Sequence, residues 1–142
     1  MEVSMILSEK KQKLTGPEAV VKTMKALREN FDVEERDKEH FYCFGLNNKN
    51  VILYVDLVAI GLVNEIHIHP REVFRRAVSK SCVSILVAHN HPSGEVTPSK
   101  EDTSFTEKLR DAGKILSIEL LDHVIFSDDS EEFYSFKEAG YI

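Results

Sequence analysis

The stretch VSILVAHNHPSGEVTPSKED, residues 83–102, decides the fold. Its first six residues, 83–88, form a run that is apolar save for Ser84, the kind carried by a strand buried on both faces. His89 and His91 follow at i and i+2, so an extended chain sends both imidazoles to one side. Pro92 ends the strand, and a loop containing Gly94 reverses the chain. Ser99 and Asp102 then have the spacing of a helix start, with the serine as cap and the aspartate in the first turn. Strand end, loop and helix start can together bring two imidazoles and one carboxylate to a single point.

The helix that follows spans residues 100–113, with Phe105, Leu109 and Ala112 on one face. Upstream, Thr15-Gly16-Pro17 opens a first helix, with Pro17 suited to the first helical position. Val20, Val21, Met24, Ala26 and Leu27 give it an apolar stripe. Residues 32–38 read as a charged linker. Residues 40–46 and 51–60, rich in β-branched and aromatic side chains, read as strands joined by a hairpin turn at 47–50. Residues 64–68 read as a third strand, and 70–80 as a second helix. Residues 115–121 and 123–126 read as two further strands, the first a candidate edge for pairing between chains. Residues 131–137 read as a last helical turn.

Residues 1–13 are polar and read as a flexible N-terminus, leaving 14–142 as a single domain. Helices alternate with strands around a buried central strand. The expected class is α/β: a layered α/β/α domain with a mixed central sheet.

The bulk properties narrow the function. A chain of 142 residues can bury a real core, and 42% apolar with 30% charged residues is ordinary for a soluble protein. No apolar run approaches the roughly 18 residues of a membrane span. The opening MEVSMILSEKKQK lacks the apolar core of a secretory signal, which points to the cytoplasm. A net charge of −6 disfavours a general nucleic-acid binder. Cys43 and Cys82, each inside an apolar run, read as buried thiols.

Two histidines and one carboxylate leave a coordination position open. Such a set suits catalytic Zn²⁺ with a water as the remaining ligand, and is also compatible with mononuclear Fe²⁺. The pKa of a zinc-bound water falls to about 7.

His89-Asn90-His91-Pro92, six residues, Ser99, two residues and Asp102 resemble the JAMM motif of the MPN/JAB metalloprotease superfamily. His69-Pro70-Arg71-Glu72-Val73-Phe74 and Ala88-His89-Asn90-His91-Pro92-Ser93-Gly94 resemble segments typical of its RadC branch. The resemblance runs from about residue 16 to the C-terminus. It implies a fold similar to the cytidine deaminase core. It implies one Zn²⁺ held by His89, His91 and Asp102, and Ser99 helping to hold an oxyanion. It also implies a glutamate that serves as base to the nucleophilic water and then as acid to the leaving amine. Glu39, at the start of the strand after the first helix, matches that position. Glu65, one strand later, is the competitor. The implied activity is zinc-dependent hydrolysis of an amide or isopeptide bond in a peptide or protein conjugate. Longer RadC proteins look to carry a helix-hairpin-helix region that this sequence lacks, so no DNA contact of that origin is expected.

The RadC name also carries an alternative, a DNA-repair-associated or DNA-binding protein without peptidase activity. Arg71, Arg75, Arg76 and Lys80 on one short helix would supply the contact, against the simpler reading of a solvated face. A deaminase would need His-x-Glu and Pro-Cys-x-x-Cys, and neither is present. An inactive scaffold would have no need of the intact ligand set. His67 and His69 read as outer-face strand residues, with His69 just before the Pro70 helix start, and His40 as facing away from Glu39. Glu95 and Glu101 read as loop and cap residues. Asp122-His123 reads as closing a turn or as steadying a ligand.

Overall fold

Alternation along two central strands sorts the core onto two faces. In β1 (Glu39–Leu46), Tyr42, Phe44 and Leu46 pack on one side and Phe41 and Cys43 on the other. In β3 (Ser84–Asn90), Leu86 and Ala88 join the first face and Ile85 and Val87 the second. Every residue of β3 is buried, the apolar stretch 85–88 and the polar Ser84, His89 and Asn90 alike. The computed structural model describes residues 12–61 and 67–142.

Helix α1 (Pro17–Arg28) covers the first face through Val20, Val21 and Met24. Helices α3 (Pro70–Ser79) and α4 (Lys100–Leu116) cover the second through Val73, Phe74, Ala77 and Leu109. The sheet runs β2-β1-β3-β4-β5, with β2 at Ile52–Gly61, β4 at Glu119–Phe126 and β5 at Phe133–Ser135. Only β3 and β4 pair in parallel; the other neighbours are antiparallel. This is the mixed-sheet α/β/α sandwich expected from the sequence. At Gly45 an added Cβ would lie 2.0 Å from the Tyr54 ring, so glycine is what lets that ring lie across β1.

Several local expectations change. The segment read as a charged linker contains a one-turn helix, α2 (Val33–Arg36), capped by the Asp32 side chain on the Glu35 N–H. The strand expected at 115–121 is instead the end of α4, which continues through Leu116, and the start of β4 at Glu119. Its apolar residues satisfy a helical period as well as an alternating one. Ser117, left-handed at φ 59°, turns the chain in the two residues between them. The expected break between 121 and 123 is absent, and β4 runs continuously. Asp122 stays inside it because Ser135 Oγ donates to Asp122 Oδ2 at 2.6 Å and the His123 N–H donates to Oδ1 at 2.7 Å. The helical turn expected at 131–137 is β5, paired antiparallel with β4 at 124–126. Of the strand expected at 64–68, residues 64–66 lie outside the described residues, and His67 and Ile68 are not in a strand. The N-terminal call at 1–13 falls, for residues 1–11, outside the described residues as well.

A buried cation ties the first layer to the sheet. Arg28, 1% exposed, makes a two-pronged bond to Asp128 at 2.7 Å per prong and donates to Tyr42 Oη at 3.0 Å. Its guanidinium stands over the Phe31 and Phe126 rings. Cys43 and Cys82 are free, buried thiols, and burial pushes both pKa values up.

Candidate metal centre

β3 delivers its last residues to the end of the central strands. The His91 N–H donates to the Phe126 carbonyl at 3.0 Å, which carries the β3–β4 pairing one residue past the strand. The chain then turns with Gly94 N–H on the His91 carbonyl at 3.0 Å. Gly94 sits at φ +88°, a conformation that disfavours any side chain there.

The return stroke is α4. Ser99 caps it, its Oγ accepting the Asp102 N–H at 3.0 Å, while the Ser99 N–H donates to Asp102 Oδ2 at 2.9 Å. This reciprocal capping box fixes the aspartate carboxylate toward the loop. The serine oxygen acts as acceptor in the cap, which leaves the hydroxyl hydrogen for another acceptor.

His89, His91 and Asp102 thereby converge, with one ligand atom from each lying within 4.8 Å of the others. His89 Nε2 and His91 Nε2 are 3.1 Å apart. Asp102 Oδ2 lies 3.2 Å from His91 Nε2, and Oδ1 lies 3.4 Å from His89 Nε2. His91 Nδ1 faces the Glu95 carbonyl at 2.8 Å, and a carbonyl can only accept. A neutral His91 therefore carries hydrogen on Nδ1 and turns the Nε2 lone pair inward, an assignment made from the bonding network. A lone pair and a carboxylate aimed at one point form an arrangement that a cation satisfies. Two imidazole nitrogens and one carboxylate oxygen are the donor chemistry of a zinc or similar first-row ion, so these residues fit such an ion.

The electrostatics match. Burial pushes the Asp102 carboxyl up, but the His89 and His91 rings and the Ser99 N–H outweigh it and hold the group well below the usual carboxylate range. Burial pulls His91 down, and Asp102 overrides it, so the net shift is upward.

Glu39 opens β1 on the same side. Phe41 pairs with His89 across the antiparallel ladder, so Glu39, two residues earlier, stands on that face near His91. Glu39 and all three candidate ligands line one cleft. Burial first of all raises the Glu39 pKa above its ordinary value, against the pull of the two histidines. Glu65 lies outside the described residues. His40 turns to the other face as alternation predicts, near Phe31 and Tyr42.

Other residues depart from the sequence reading. His67 and His69 are not strand residues and line the same cleft as Glu39, while His69 stands just before the Pro70 helix start as expected, as the N-cap of α3. Neither belongs to the candidate ligand group found among the described residues. Arg76 is not part of a free basic face, because it pairs with Asp56 and stands over the Tyr54 ring. Three further residues surround the centre. Asn90, fully buried, bonds to the backbone on both sides of Glu39. His123 Nε2 lies 2.8 Å from His89 Nδ1, and Thr106 Oγ1 lies 2.6 Å from His123 Nδ1. The adjacent Asp122-His123 pair had suggested a supporting role, but Thr106 gives no sequence signal.

The model of the RadC-like JAB domain matches residues 14–141 of this chain. The chain belongs to the RadC-like JAB domain family. Similar proteins include a UPF0758 protein of Geobacillus kaustophilus, 46% identical over 111 residues, covering 78% of this chain and 48% of that protein. A UPF0758 protein of Chlorobium chlorochromatii is 46% identical over 108 residues, 76% of this chain and 48% of its own. The UPF0758 protein YsxA of Bacillus subtilis is 44% identical over 111 residues, 78% and 47%. The chain thus spans about half the length of these curated relatives. The helices and five-stranded mixed sheet agree with a JAB domain. Among the described residues no helix is long and apolar enough to cross a membrane.

Proposed function

We propose that this RadC-like JAB domain is a zinc-dependent hydrolase that cleaves an amide or isopeptide bond in a peptide or protein conjugate. The observation that carries this reading is the convergence of His89, His91 and Asp102 in one cleft with Glu39. His89 Nε2, His91 Nε2 and an Asp102 oxygen would hold the ion. When bound, zinc lowers the pKa of a water to about 7 and polarises the scissile carbonyl. Glu39 takes a proton from the attacking water on its carboxylate and returns it to the departing nitrogen. A pKa raised by burial suits a group that must both accept and give that proton. Ser99, with its hydroxyl hydrogen outside the cap, donates to the oxygen on which charge develops.

Elemental analysis and a cleavage assay on a panel of peptides and isopeptide-linked conjugates test this reading. The expected result is one zinc per chain, lost in His89→Ala and Asp102→Ala, with hydrolysis following the metal. A chain that takes up no divalent metal with these residues intact overturns it.

The DNA-associated reading draws support from Arg71, Arg75 and Lys80, which stay exposed on and beside α3. It expects salt-dependent binding to duplex DNA that charge reversal at Arg71 and Arg75 abolishes. No binding at low salt removes it.

A further inference from the structure

We infer that His123, braced by Thr106, is a positioning residue that sets the tautomer of His89 and keeps its Nε2 lone pair turned into the metal site. The inference rests on the zinc reading above.

Two ring nitrogens face each other at 2.8 Å, His89 Nδ1 and His123 Nε2. One must donate and the other accept. If His89 Nε2 is a ligand, the His89 hydrogen is on Nδ1, and His123 Nε2 must be the acceptor. The hydrogen of a neutral His123 then sits on Nδ1, 2.6 Å from Thr106 Oγ1. Thr106 Oγ1 can accept it, because its own hydrogen has another acceptor, the Asp102 carbonyl at 2.7 Å. Every donor in this chain has an acceptor, and the run begins on one candidate ligand, His89, and ends on another, Asp102. The opposite direction would put hydrogen on His89 Nε2, pointing into the site.

The relay is also held rigid. Thr106 is fully buried and His123 is 1% exposed. The His123 ring stacks on Phe136 at 4.8 Å and meets Phe41 edge-on at 5.6 Å, so it has little room to swing away from His89. A second partner on a ligand histidine commonly fixes the ring and raises its basicity toward the metal.

Nitrogen-15 NMR of the histidine rings in the zinc-loaded chain tests the direction of the relay. The expected spectrum shows His123 neutral with hydrogen on Nδ1; hydrogen on Nε2, or on both nitrogens, overturns the inference. Chelator competition tests its strength. Thr106→Val, nearly the same shape, and His123→Phe should each weaken zinc binding by roughly 10- to 100-fold. Thr106→Ser should restore affinity to within a few-fold of the original. Unchanged affinity in both Thr106→Val and His123→Phe overturns the inference. Should neither variant fold, the NMR result on the unaltered chain still decides. An unaltered chain that binds no zinc sinks the functional reading and the relay together. One that binds zinc with His123 in the other tautomer sinks the relay alone.

Discussion

Asn90 grips the backbone on both sides of Glu39. Its Oδ1 accepts the His40 N–H at 2.7 Å, and its Nδ2 donates to the Lys38 carbonyl at 2.9 Å. The residue between the two candidate ligand histidines therefore places the proposed base, and its side chain extends the β1–β3 ladder to the backbone around Glu39. Asn90→Ala should leave the buried His40 N–H without its partner and cost about 1–3 kcal/mol of stability. Zinc content should hold within a few-fold while hydrolysis falls. Denaturant unfolding, metal analysis and turnover on the same sample check this. Unchanged turnover would show that Glu39 does not depend on Asn90.

Glu39→Gln separates binding from chemistry. The amide has nearly the same shape and cannot take up a proton, so turnover should drop roughly 10²- to 10⁴-fold. Zinc affinity should stay close to that of the unaltered chain, since Glu39 is outside the ligand group. Zinc lost along with turnover would instead make Glu39 a ligand.

The convergence of His89, His91 and Asp102 was legible in the sequence because each part is local. Alternation sends His89 and His91 to one side, and a helix start returns Asp102 after a loop that Pro92 and Gly94 announce. Glu39 is 50 residues away from His89, and only the family resemblance suggested it. Thr106 and Asn90 stayed invisible because a single buried polar residue has no period, and its importance depends on what the fold places beside it. The α4–β4 junction was misread for a related reason. Ile115, Leu116, Ile118, Leu120 and Leu121 fit two periods equally well, and the chain chooses at Ser117, a residue type that seldom marks a left-handed turn.

Metal should stabilise the fold. The candidate ligand atoms come from the end of β3, the residue after it and the first turn of α4, so an ion joining them would bind the folded chain and not the unfolded one. At free zinc about 100 times the dissociation constant, linkage adds about 2.7 kcal/mol. Scanning calorimetry at increasing zinc should show a rising midpoint, reversed by chelator. Asp102→Asn keeps an oxygen for the helix cap but loses the charge, so its midpoint should respond far less.

Arg28 and Asp128 form a buried two-pronged pair, 1% and 9% exposed at their side chains. Removing one partner strands the other charge, so Arg28→Ala should destabilise by about 3–5 kcal/mol. Lysine offers a single point charge and cannot reproduce the fork, so Arg28→Lys should recover only part of that loss. Because the pair ties α1 to the segment after β4, on the face opposite the cleft, zinc affinity in the folded fraction should not change. Urea unfolding and chelator competition measure the two effects separately.

The pH response of stability has a separable contribution from His40. It is 1% exposed, and its Nε2 lies 3.2 Å from Glu35 Oε2 while Nδ1 faces the Lys38 carbonyl at 3.1 Å. Burial, helped by the nearby Arg28 cation, lowers its pKa from the usual 6.5 despite the pull of Glu35. The folded chain therefore keeps His40 neutral where the unfolded chain already takes up a proton. Stability from this group is fully present above pH 6.5 and declines as pH falls from there toward the lowered folded value. His40→Phe removes the titration and keeps a ring between Phe31 and Tyr42. The stability difference between the two chains should shift in favour of His40→Phe as the buffer is taken from pH 8 down through about pH 6. The candidate ligands titrate alike in both chains and cancel in the difference. A gap between the two unfolding curves that stays constant with pH would mean that His40 takes up its proton as readily in the fold as in the open chain.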